Sequence, residues 1–193
     1  MDDFIEITKY VAKHIQLTED EASFFISLLR ITKIKKKQYL VQPGFTCKYR
    51  NYVLKGALRA YLVDNRGQSH TIAFAIEDWW INDVSSYLFQ EPGSLFVEAM
   101  EDAIVIQLDY ESEKLLLEKV PKFEKFFRIV TQRAFASLQK RLLSTLSKTA
   151  EERYDEYVQK YPAIVNRFPQ YALASFLGFS TEFLSKIRNR KTK

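Results

Sequence analysis

The stretch QYALASFLGFSTEFLSKIR, residues 170–188, places two short apolar-patterned runs around a single glycine. Read as a helix-turn-helix frame that starts at Gln170, each constrained position receives a suitable residue. The two helices of such a frame approach most closely at its fifth position, which holds Ala174. The turn needs a left-handed residue at the ninth position, which holds Gly178. Leu173, Leu177, Phe179, Leu184 and Ile187 fall on the buried side of both helices. Ser180 is placed to cap the second helix, which Thr181 and Glu182 begin. A plain helical hairpin would need only the apolar pattern. The small residue, the glycine and the cap together favour a DNA reader.

The same frame fixes the outward face. Ser180, Thr181, Glu182, Ser185, Lys186 and Asn189 are expected to meet the major groove. Thr181, Glu182 and Lys186 suit base edges: a carboxylate accepts from cytosine, an ammonium donates to guanine, and threonine meets polar atoms or a thymine methyl. Arg188, Arg190, Lys191 and Lys193 suit phosphates, which add affinity without sequence information. Charge agrees with this placement. Residues 121–193 carry fifteen Lys/Arg against six Asp/Glu, whereas residues 1–120 carry fourteen against eighteen. A basic back half behind an acidic front suits a polyanion partner, although a solvated basic face would look the same by charge alone.

Upstream, residues 4–15 show helical spacing through Phe4, Ile5, Tyr10, Val11 and Ile15. A capping box, Thr18 and Glu21, opens a second helix that is expected to run through LLR with Phe24, Phe25, Leu28 and Leu29 buried. From Ile34 the texture changes. Runs rich in Val, Ile, Tyr and Phe are cut by Pro43-Gly44, Gly56, Asp64-Asn65-Arg66-Gly67 and Pro92-Gly93. Seven or eight short strands over residues 33–108 are predicted, as an antiparallel sandwich or barrel. The clearest hairpin turn is DNRGQ.

Helices return after Asp109. The longest, residues 122–147, carries apolar residues over more than one stripe, from Phe123 to Leu146. Such a helix needs cover on two sides. The sheet can supply one and the same helix of a second subunit the other, since twofold dimers dominate oligomers. A second capping box, Thr149 and Glu152, opens the next helix.

Several function classes lack their residues. The single cysteine, Cys47, cannot hold a four-thiolate zinc or an iron–sulfur cluster, and reads as a buried hydrophobe. With His70 the only histidine in the strand region, a cupin-type metalloenzyme has too few ligands. No apolar run spans a membrane and the start does not read as a signal peptide, so a soluble cytoplasmic protein that is not an enzyme is expected.

Strands, a long helix and then TAEERYDEYVQKYP…FPQYALASFLGFSTEFLSKIR resemble the Crp/Fnr family of transcription regulators, in wording similar to members common in Bacteroidetes. The resemblance implies an α+β chain in three parts. A cyclic-nucleotide-binding-like β-roll (a double-stranded β-helix or jelly roll) with flanking helices would span 1–121. A dimerisation helix would span 122–147 and a helix-turn-helix domain 148–193. It implies a homodimer on a palindromic operator, with RNA polymerase as a further partner. The family's nucleotide binders hold the ribose with a glutamate and the cyclic phosphate with an arginine. Here Asn82-Asp83 and Gly93-Ser94 stand at those places, so the arginine is missing. Neither cyclic AMP nor cyclic GMP is therefore expected as effector, because a buried phosphate needs a cation. Any pocket is expected to be lined by Trp80, Asn82, Asp83, Ser94 and Phe96, and would suit an uncharged or cationic molecule. The alternative is a constitutive DNA binder whose roll only dimerises or docks a protein. Many relatives continue into a two-strand wing after the recognition helix, where this sequence has the basic residues to Lys193.

Overall fold

The computed structural model describes residues 4–191, Lys191 by its backbone alone. Two short helices, α1 (Ile5–Ala12) and α2 (Glu19–Ser27), precede the strands. Then follow β1 (Leu29–Ile34), β2 (Tyr39–Val41), β3 (Tyr49–Lys55), β4 (Leu58–Val63), β5 (Ser69–Ala75) and β6 (Trp80–Ile81). Helix α3 (Val84–Phe89) separates β6 from β7 (Phe96–Ala99) and β8 (Ala103–Asp109). The rest is helical: α4 (Tyr110–Lys119), α5 (Lys122–Ser147), α6 (Ala150–Lys160), α7 (Pro162–Arg167), α8 (Gln170–Leu177) and α9 (Thr181–Lys191).

The strands form two four-stranded antiparallel sheets, ordered β1-β8-β3-β6 and β2-β7-β4-β5. Alternation along each strand sends one set of side chains between the sheets and the other outward. Ile34, Val41, Val53, Leu58, Ala60, Val97 and Val105 fill the interior of the roll. Behind the first sheet lies a second core, in which Tyr52, Ile106 and Leu108 meet Ile7, Val11, Phe25, Leu116, Phe123 and Phe126 from the flanking helices. Behind the second sheet lies a third. There Ala57 and Phe74 meet Ile164, Phe168, Ala172, Leu173, Leu184 and Ile187.

Both predicted capping boxes form. Thr18 and Glu21 exchange side-chain and backbone bonds at the start of α2, and Thr149 and Glu152 do so at α6. The DNRGQ turn closes β4 onto β5 through Asp64 N–H to Gln68 C=O, with Gly67 at φ 78°.

Three local expectations are corrected. The second helix stops at Ser27, so Leu28 and Leu29 are not on its stripe: Leu29 opens β1, five residues before the expected change of texture, and only Phe25 of the four is fully buried. From Leu29 to Ile34 the chain pairs with β8 residue for residue, and the strand partner outweighs the helical continuation. In α1 the buried residues are Ile7 and Val11, while Ile5 is exposed. Between β6 and β7 the chain inserts α3, which apolar texture did not reveal because Val84, Leu88 and Phe89 point outward.

Helix α5 runs over the expected 26 residues. Its first turns bury Phe123, Phe126 and Phe127 against the roll. Further along, Phe135 is 66% and Leu146 75% exposed, and Leu138, Leu142 and Leu143 are all more than half exposed. Their three- and four-residue spacing lines up a stripe along one side of the helix.

Candidate nucleic-acid interface and sensory cassette

Helices α8 and α9 meet as the frame requires. Ala174 is 1% exposed, while Leu173, Leu177, Leu184 and Ile187 are buried between the helices and the third core; Phe179 is only partly buried there. Gly178 ends α8 at φ 80°, ψ 35°, and the N–H of Phe179 reaches back to the carbonyl of Ala174. A Cβ at Gly178 would touch nothing within 4 Å, so the residue is required for its backbone conformation and not for space. The Ser180 hydroxyl accepts from Phe183 N–H, which fixes the start of α9.

On α9, Glu182, Lys186 and Asn189 are exposed, and Thr181 is half-buried. The Glu182 carboxyl lies below its usual range because its own amide and then the Ser180 hydroxyl favour the anion. It is held at the helix N-terminus as an acceptor. Ser185 donates to Gln170 Oε1 at 3.1 Å, so its hydroxyl joins α9 to the first residue of α8. Gln170 is a residue the sequence reading passed over; its place at the frame's first position was the available signal. Arg190 pairs with Glu151 at 3.0 Å, both largely exposed, an ion pair that a phosphate can displace. Arg188 is half-buried. The Lys191 side chain and Lys193 lie outside what the structure describes.

The five expected pocket residues have different surroundings. Trp80 packs outside the roll against Tyr52, Phe126 and Phe127. Phe96 also faces outward from the second sheet, stacked on Tyr61 at 5.1 Å and beside Tyr39. The physical reason is strand alternation: Val97 takes the inward place and turns its neighbour out. Asp83 and Ser94 are brought together, but for a structural purpose. The Asp83 carboxylate accepts from the amides of Ser86, Ser94 and Leu95 at 3.2, 3.0 and 3.1 Å, and is 3% exposed. It caps α3 and ties that helix to the chain leading into β7. Asn82 Nδ2 and Trp80 Nε1 are buried without an acceptor. Cavities of about 220 Å³, lined by residues of the 39–51 segment, and about 490 Å³, near Lys13, His14, Lys122 and Lys125, include none of the five.

Gly93 explains part of this packing. A Cβ there would sit 2.7 Å from Asp83 Oδ2 and 3.1 Å from Ser86 Cβ. Any side chain at position 93 must displace the capped aspartate. Cys47 is buried behind the same segment, its amide donating to Ser86 Oγ, and burial pushes its thiol up. Among the described residues no cluster of three or more His, Cys, Asp or Glu is placed to hold a metal, and no helix is long and apolar enough to cross a membrane.

No protein-family model matches this sequence, and no curated protein matches it. Solved structures do. FixK2 from Bradyrhizobium japonicum superposes with a TM-score of 0.73 at 18% identity, over 84% of this chain and 83% of that one. A transcriptional regulator described as Crp/Fnr family, from Eubacterium rectale, gives 0.71 at 14% identity over 90% and 83%. A CooA variant from Carboxydothermus hydrogenoformans gives 0.69 at 17% identity over 93% and 81%. The fold is that of the Crp/Fnr regulators. Within it, β6, α3 and β7 are the elements that carry Asn82-Asp83 and Gly93-Ser94, and α8 and α9 are two helices joined through Gly178. The α+β architecture and the order of its parts agree with the expectation from sequence.

Proposed function

We propose that this chain is a Crp/Fnr-type transcription regulator: a homodimer that binds a palindromic operator through one α9 per half-site, with RNA polymerase as a further contact, in the cytoplasm. The observation that carries the reading is the α8–α9 unit itself. A left-handed glycine, a buried alanine and a serine cap fix two helices, and the second presents Glu182, Lys186 and Asn189 to solvent. Thr181, Glu182 and Lys186 are assigned to base edges, and Arg188, Arg190 and Lys191 to phosphates. Domain limits of 1–121, 122–147 and 148–193 accompany this assignment.

Dimerisation is assigned to α5. Its outer stripe from Phe135 to Leu146 is apolar and uncovered in the single chain. A parallel pairing of two such helices buries that stripe in the manner of a coiled coil.

Cyclic AMP and cyclic GMP are not the effectors in this reading. The Asp83 carboxylate is spent on three amides, and position 93 has no room for the arginine that would neutralise a cyclic phosphate. The roll interior is packed with side chains from both sheets, which favours an ordering role for the roll over capture of a nucleotide.

Genome-wide immunoprecipitation tests the reading. The wild type should enrich a set of promoters sharing a two-half-site motif, and a Thr181→Ala/Lys186→Ala variant should lose that enrichment. Equal profiles for the two proteins would remove α9 from the role of reader.

A further inference from the structure

The end of α1 and the first turns of α5 frame a surface hollow of about 490 Å³, lined by Lys13, His14, Ile15, Gln16, Lys122 and Lys125. Ile15 is its buried apolar part, and the other five carry polar or cationic ends. Arg133 belongs to the same surface. It lies about three turns beyond Lys122 on α5, and its Nη1 stands 3.4 Å from His14 Nε2. Such a hollow is of the size that small-molecule sites occupy.

The charge around it is one-sided. Lys122 meets Glu21 at 2.7 Å, and Lys13 stands 3.7 Å from Asp78. Among the described residues, Lys125 and Arg133 pair with no carboxylate. A concave surface lined by one sign of charge focuses its field on whatever enters. His14 senses that field from within the hollow. Its ring takes a proton less readily than an ordinary imidazole, first because of burial and then because of Arg133 and Lys13. Its aromatic neighbours are Tyr10, at 5.5 Å between ring centroids, and Phe126, at 5.9 Å. The charged groups nearby are Lys13, with Asp78 beyond it, and Lys122, Lys125 and Arg133 from α5.

The helix-turn-helix reading does not account for this charge. From Lys125 to Ser147 the helix covers about 33 Å, and α6, α7 and α8 follow before α9 begins. The basic hollow therefore lies at the end of α5 remote from its join to α6.

We propose that the hollow is a binding site for a small polyanion, a phosphate ester or an oligophosphate, held by Lys13, Lys125 and Arg133 with Gln16 as a neutral donor. Lys122 remains engaged by Glu21 at the rim, and His14 joins the donors when it is protonated. A bound anion would bridge the end of α1 to α5 two residues before the uncovered stripe that starts at Phe135. The binding itself stands apart from the DNA-binding function proposed above.

The two histidines of the sequence make the test internal, because His70 lies elsewhere, paired with Asp64. Millimolar pyrophosphate, added to the full chain in physiological salt, should move the NMR signals of the His14 ring and raise the pH at which it titrates, since a nearby anion favours the imidazolium. His70 should not respond. Lys125→Gln should weaken the pyrophosphate affinity about tenfold, as expected for one lost charge-assisted hydrogen bond. Lys33→Gln, an exposed lysine of β1, should leave it unchanged. Sulfate keeps its charge over the range in which histidine titrates, so it should bind more tightly as pH falls through the His14 titration. His14 unmoved by pyrophosphate, or His14 and His70 shifting together, would overturn the proposal. Equal losses in the two lysine variants would do the same, because the effect would then be general screening. If phosphatidylglycerol vesicles or a DNA duplex move the His14 signals and pyrophosphate does not, the hollow serves a macromolecular surface and the small-ligand site is wrong.

Discussion

Gly178 and Lys186 show two kinds of residue-level constraint. Gly178 is fixed by backbone: its φ of 80° is one that a side chain resists, although space around it is open. Gly178→Ala should cost about 1–2 kcal/mol of stability, read by chemical denaturation. An unchanged midpoint would show that the turn relaxes freely. Lys186 is exposed, and the constraint proposed for it is the chemistry of a base contact. Lys186→Ala should cost about 1–3 kcal/mol on the preferred duplex and relax discrimination at one base pair. A uniform loss across sequences would make it a phosphate contact. The first kind of constraint is legible in sequence because it acts within a few residues: Ala174, Gly178 and Ser180 declare themselves by spacing. Asp83 was not legible in that way. Its carboxylate serves amides three, eleven and twelve residues ahead, and only the folded cassette brings them together.

Among elements, those with caps and long apolar periods were read well, and those decided by partners were not. The ends of α5 and the starts of α2 and α6 match their sequence signals. The α2–β1 boundary was misplaced because Leu28-Leu29 continues a helical pattern, and the ladder to β8 decides otherwise. The link from β5 through the loop at Glu77 to α7 was invisible too, since Arg167 meets Glu77 across 90 residues. Burial alone would raise the Glu77 carboxyl. Hydrogen bonds from Arg167 and the Gly56 amide outweigh it and hold it down at about 2, below the ordinary 4.5. A depressed carboxyl stabilises the fold above the unfolded value and loses that contribution as pH falls from about 4.5 toward 2. Glu77→Gln should therefore lower Tm at pH 7, and its Tm should converge with the wild type as the solution is acidified through that window. Parallel Tm curves would show that the pair contributes nothing to the docked arrangement.

At the scale of the whole molecule, a filled roll, a half-covered helix and an exposed α9 face stand together. The half-covered helix gives the assembly prediction. Leu142→Glu with Leu146→Glu places two charges on the uncovered stripe of α5, far from the Phe123 and Phe126 core. The variant should sediment as a monomer, remain folded by circular dichroism, and lose two-half-site binding. A wild type that already sediments as a monomer would contradict the dimer. The filled roll gives the effector prediction: calorimetric titration with cyclic AMP and cyclic GMP should show no binding, and micromolar binding competed at the cassette would contradict it. In the proposed function these parts meet on DNA. The most direct measurement is selection of duplexes from a random pool by the purified chain, beside the Thr181→Ala/Lys186→Ala variant. The account predicts enrichment of an inverted repeat whose half-site centres lie about one helical turn, 10–10.5 base pairs, or a multiple of it apart, with the variant failing to enrich it. A pool that stays random, or the same repeat recovered by the variant, would contradict it.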